Sequence, residues 1–167
     1  MRIAPSERGD SAADRVMGHR PELLAAWDGL KHTLVGPSST LSPELKEQVR
    51  RTLAQHTGCE FCASLGRPAA EQPDARVSLA VAFAEAVAAD HTAIGDRQLE
   101  VLFEELTVPE VVELLMWIVF EHAGQMFGAL IGDEPATDEE RAAFAAAVAA
   151  QPGPGGAATP SDLRAPP

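Results

Sequence analysis

The chain contains no tyrosine, only 5% aromatic residues and just two cysteines in 167 positions. Sheet interiors are rich in aromatic and β-branched side chains, so this shortage, set beside many alanines, favours close-packed helices over strands. Two cysteines are too few for a disulfide scaffold. Basic residues are also scarce. Thirteen Lys and Arg against 25 Asp and Glu leave a formal charge of −12, and a surface of that sign repels phosphate backbones and anionic lipid. Neither nucleic acid nor a membrane is an expected partner.

Long apolar runs are missing too. The longest stretch, Val111 to Ile131, is interrupted by Glu113, Glu121, His122 and Gln125, and ionisable groups at bilayer depth are costly, so a buried helix is expected there. Met1 to Arg20 lacks the roughly 7–15 consecutive apolar residues of a signal peptide. The expectation is a cytoplasmic protein.

What is present is a succession of helix signals within one domain. A flexible N-terminal segment is expected over 1–18, a helical domain over 19–151, and a disordered Pro/Gly-rich tail over 152–167. Pro21 opens a helix with Leu23, Leu24, Trp27, Leu30 and Leu34 at three- and four-residue spacing. Ser42 and Pro43 open the next, which places Leu45, Val49 and Leu53 on one stripe. Asp74 caps an alanine-rich segment that is apolar on almost every side and so predicted to be central. A short helix from Asp96 to Leu106 leads to a Thr107–Glu110 capping box and the long apolar helix. A second box, Thr137–Glu140, opens the last helix. No alternating strand pattern occurs. The fold class read from these signals is all-α, with six to seven helices.

The sharpest chemical feature is Gly58-Cys59-Glu60-Phe61-Cys62. A Cys-x-x-Cys pair at a helix start can stabilise a thiolate through the amide dipoles, and the spacing lets two sulfurs close a disulfide. The competing reading is two small buried apolar residues. A zinc site from His56, Cys59 and Cys62 lacks a second ligand pair downstream, so neither metal nor cofactor is expected.

The run ELKEQVRRTLAQHTGCEFC resembles the alkylhydroperoxidase D motif of the carboxymuconolactone decarboxylase superfamily. In that motif a glutamate lies twelve residues before the first cysteine, the place of Glu47 here. The resemblance extends over about Pro21 to Gly132 and implies an AhpD-like all-α domain assembled as a homo-oligomer, trimer or hexamer. It implies a thiol peroxidase or disulfide oxidoreductase that reduces peroxide and is re-reduced by a dithiol protein or small thiol. Cys62 would attack peroxide, Cys59 would resolve the sulfenic acid, and Glu47 would relay protons.

One departure from the family pattern is plain. A histidine is usual four residues after the second cysteine, and Gly66 stands there. His56, His91 and His122 are the candidates to replace it, His56 first, or Glu47 acts alone through water. Each has a plainer reading. Glu47 pairs with Arg50 and Arg51 as a solvated helix charge; His56 is a helix C-terminal residue; His91 belongs to a cap. His122, with Glu121 beside it, either lines a pocket or is a satisfied core group. Trp27, Trp117, Phe83, Phe103, Phe120 and Phe127 are read as core. Alternatives to the peroxidase are the superfamily's cofactor-free lactone decarboxylase, disfavoured by the paired thiols, and a non-enzymatic redox-sensing oligomer.

Overall fold

A computed structural model describes residues 1–154, and over these the chain is all-helical. The greater part of the expected tail, from 155 onward, lies outside the described residues. Eight α-helices run in order: α1 (Ala12–Met17), α2 (Pro21–Val35), α3 (Pro43–Ala54), α4 (Glu60–Ser64), α5 (Ala75–Asp90), α6 (Asp96–Glu105), α7 (Val108–Ile131) and α8 (Asp138–Ala149), with a 3-10 turn at His91–Ala93.

The boundaries follow from local chemistry. Ser42 Oγ accepts from the Leu45 amide at the start of α3, and Asp74 does the same for Val77 at α5. Both predicted capping boxes form, Thr107 with Glu110 and Thr137 with Glu140. Gly132 ends α7 in the left-handed conformation, φ +66°.

The core lies where α3 packs on α5 and α7. The predicted stripe Leu45, Val49 and Leu53 is fully buried, facing Val77, Ala80, Phe83 and Ala84 of α5 and Leu114, Trp117 and Ile118 of α7. The two alanines add no bulk between α3 and α5 and so permit close approach. Lys46 is buried as well, donating from Nζ to Leu34 O and Ser39 Oγ, while Trp117 Nε1 donates to Lys46 O at 2.9 Å. Every polar member of this cluster is partnered, as burial demands.

Against the six to seven helices expected, eight form, the additional one lying in the N-terminal segment. Where the sequence predicts a flexible segment over 1–18, α1 forms on a Ser11–Asp14 capping box, and the Arg2 amide donates to Ile131 O at 2.6 Å. The reason is long-range: the end of α7 leaves carbonyls unpaired, and Arg2 supplies donors to them. On α2, which lies at the periphery and buries only Leu34 fully, Leu23 and Leu30 of the expected apolar spacing are exposed. They border an apolar groove with α1 and α7, next to Phe127. Phe103, read as core from the sequence, is exposed instead, since its side of α6 meets no other helix.

α7 is long and apolar enough to cross a bilayer, but only one of its faces meets the core. Val108, Val112, Met116, Val119, Met126 and Leu130 stay exposed on the other.

Candidate active site

Gly58 takes φ +72°, a conformation that suits glycine, and turns the chain back after α3 so that α4 lies beside it. Cys59 caps α4, its Sγ accepting from the Cys62 amide at 3.2 Å. The two sulfurs are disulfide-bonded, with the Cα atoms 5.3 Å apart, inside the range such a bridge requires. The pair is asymmetric. Cys59 is 1% exposed, whereas Cys62 is half-buried and borders a cavity.

Helix α7 closes the far side of the disulfide. A β-carbon on Gly128 would stand 2.8 Å from Cys59 Sγ and 3.7 Å from Cys62 Sγ, so only glycine lets the bridge lie directly on the helix backbone.

The cavity beside Cys62 holds about 180 Å³ and is shaped by Trp27 and Phe120, whose rings stack with centroids 4.2 Å apart. Its polar lining comes from three helices: Lys31 of α2, Arg50 of α3, and Glu121 and Gln125 of α7. Arg50, Gln125 and Glu121 are linked to one another and to Cys62. Arg50 Nη1 donates to Cys62 O at 3.2 Å, and Gln125 Nε2 donates both to Arg50 O at 3.1 Å and to Glu121 Oε2 at 3.2 Å. Burial pushes the Glu121 carboxyl up to about 7; Arg50 opposes the rise most, then the Gln125 hydrogen bond.

The residues picked out in the sequence fall in different places. Glu47 is buried, not solvated: it accepts from Arg50 Nε at 2.7 Å, Arg50 Nη2 at 2.9 Å and Arg51 Nε at 2.6 Å. Its i+3 and i+4 pairing is as the sequence suggests, but the surroundings are not. Glu47 borders a smaller cavity of about 70 Å³ that shares Lys31, Arg50 and Glu121 with the larger one. Through Arg50 it is one side chain removed from Cys62.

His56 is exposed just beyond α3, its amide bonded to Leu53 O. His91 is exposed at the end of α5. His122 is half-buried but does not border the cavity, which its neighbour Glu121 does. Gly66 has φ +135°, and a β-carbon there would stand 3.3 Å from Arg51 Nε. A histidine at this position would be strained in its backbone and crowded against Arg51, so a substitution here is no simple route to the usual relay.

Sequence reading missed Lys31, Arg50 and Gln125, and took Glu121 only as His122's companion. The available signal was Glu121 and Gln125, four residues apart and so on one face of the most apolar helix. Among the described residues no group of three or more His, Cys, Asp or Glu is gathered as a metal site. No family model, curated protein or solved structure matches the chain.

Proposed function

We propose that this protein is a dithiol oxidoreductase of the alkylhydroperoxidase D type that reduces peroxides through Cys59 and Cys62. The observation that carries the reading is the asymmetry of the pair: Cys62 borders a cavity and is half-buried, while Cys59 is sealed against Gly128. A peroxide entering the cavity meets Cys62 first. The Cys62 thiolate attacks one peroxide oxygen, the S–O bond forms as the O–O bond breaks, and an alcohol or water departs once protonated. The Cys59 sulfur then displaces water from the Cys62 sulfenic acid, closing the disulfide. A dithiol protein or small thiol returns both sulfurs to the reduced state. The motif around Glu47 supports the same reading.

The test begins with reduced protein. One equivalent of peroxide should convert both thiols to a single intramolecular disulfide, seen by mass as loss of two alkylatable sites. Two sites still alkylatable under native conditions would end the redox reading.

The bare face of α7 supports a homo-oligomer, trimer or hexamer, with a second copy as its occupant. Val112, Met116, Val119, Met126 and Leu130 recur at the three- and four-residue spacing of a helix seam, with Ala123 completing the register and no charged side chain among them. Light scattering at micromolar concentration should give a multiple of 17.6 kDa. A monomer would refute it.

A further inference from the structure

We propose that Glu121 is the proton carrier of the thiol step, taking the proton from Cys62 and delivering it to the leaving oxygen of the peroxide. The inference rests on the peroxidase reading above and assigns the role left empty at Gly66.

Three observations converge on Glu121. It borders the same cavity as Cys62, and among the described residues it is the only carboxylate that does so. Gln125 holds it in place by a hydrogen bond at 3.2 Å, and Gln125 is itself tied to the Arg50 carbonyl, so the carboxyl is fixed relative to the helix that bonds Cys62 O. Glu47, by contrast, has both oxygens engaged by Arg50 and Arg51 and does not border the cavity of Cys62.

The charged groups facing Glu121 are Lys31 from α2 and Arg50 and Glu47 from α3, while α4 contributes Cys62 and α8 only Phe144. Burial leaves the carboxyl balanced between its two forms near neutrality, where a proton can be both accepted and released. An ordinary glutamate, at ~4.3, would hold a proton too weakly to carry it at pH 7.

Protons and electrons balance along the step. Cys62 S–H gives its proton to the Glu121 carboxylate, and the thiolate attacks the near oxygen. Two electrons pass from sulfur to the O–O bond. The far oxygen leaves with the proton from Glu121, which ends as it began. The reactive form therefore has one proton shared between Cys62 and Glu121, on the carboxylate side. Oxidation rises with pH as that form is reached and falls as Glu121 loses its proton, giving a bell-shaped profile.

The deciding experiment compares two reagents on reduced parent protein, Glu121→Gln and Glu121→Asp. Peroxide has a leaving oxygen that needs a proton; iodoacetamide has a leaving iodide that does not. Glu121→Gln should slow Cys62 oxidation by peroxide about a hundredfold at pH 7 and lose the falling limb, while alkylation by iodoacetamide is not slowed. Glu121→Asp should keep a falling limb, displaced in pH. Equal slowing with both reagents would reduce Glu121 to a structural part, and no slowing with peroxide would remove it from the step. If the glutamine variant does not fold, an unmoved limb in the aspartate variant overturns the proposal. A parent whose Cys62 alkylates but resists peroxide would sink the peroxidase reading itself, a result distinct from either of these.

Discussion

Cys62→Ser should reduce peroxide turnover to background, a loss of about a thousandfold or more, because on the proposed function it removes the nucleophile rather than a group assisting it. Cys59→Ser should behave differently. Its Cys62 can still attack, so one equivalent of peroxide is consumed in a burst, and the protein then carries one added oxygen at Cys62. Turnover stops there, since no second thiol displaces the sulfenic oxygen. The prediction follows from placement: Cys62 borders the cavity, whereas Cys59 is packed beneath Gly128 with 1% exposure. Rapid-mixing peroxide assays combined with intact mass decide the matter. A burst in Cys62→Ser and none in Cys59→Ser would reverse the two roles.

The second large effect concerns stability. Glu47→Ala should cost about 3–5 kcal/mol, because it leaves the Arg50 guanidinium, itself 5% exposed, without its bidentate partner. For a chain of this length that corresponds to a fall in melting temperature of roughly 6–20 °C. Glu47→Gln should cost less, since one oxygen remains to accept a hydrogen bond. Added salt should change these losses little, as buried pairs are poorly screened. Thermal unfolding with and without 1 M salt checks the claim, 1 M being about the point where the screening length falls to ~3 Å. A melting temperature within a degree or two of the parent would return Glu47 to the class of surface charges. The same substitution should also disturb chemistry, because Arg50 bonds Cys62 O. On the proposed function, Glu47 would therefore be a positioning residue that acts through Arg50.

Much of the fold was legible because it depends on neighbours in sequence. Caps such as Ser42, Asp74 and Thr107 act within one turn, and the Leu45, Val49, Leu53 stripe is a period of one helix. The Cys59–Cys62 bridge was legible for the same reason, being a matter of two intervening residues and a glycine bend. Glu47's pairing with Arg50 and Arg51 was equally local, whereas its burial was not, since the cover comes from other helices.

The sequence by itself therefore determined helical class, the starts of the longer helices, the placement of two thiols at a helix start and the ion pairs along α3. Tertiary structure alone decided which side of each helix faces inward, leaving Leu23, Leu30 and Phe103 exposed. It also bound Arg2 to Ile131 and set Gly128 against Cys59. It brought Glu121 to the cavity of Cys62, 59 positions earlier in the chain, and kept His56 and His91 exposed at helix ends. The physical reason is range. Capping and periodicity are settled within a turn or two, but burial, the raised proton affinity of Glu121 and the choice of which cysteine borders a cavity depend on helices α2, α3, α4 and α7 meeting at one point.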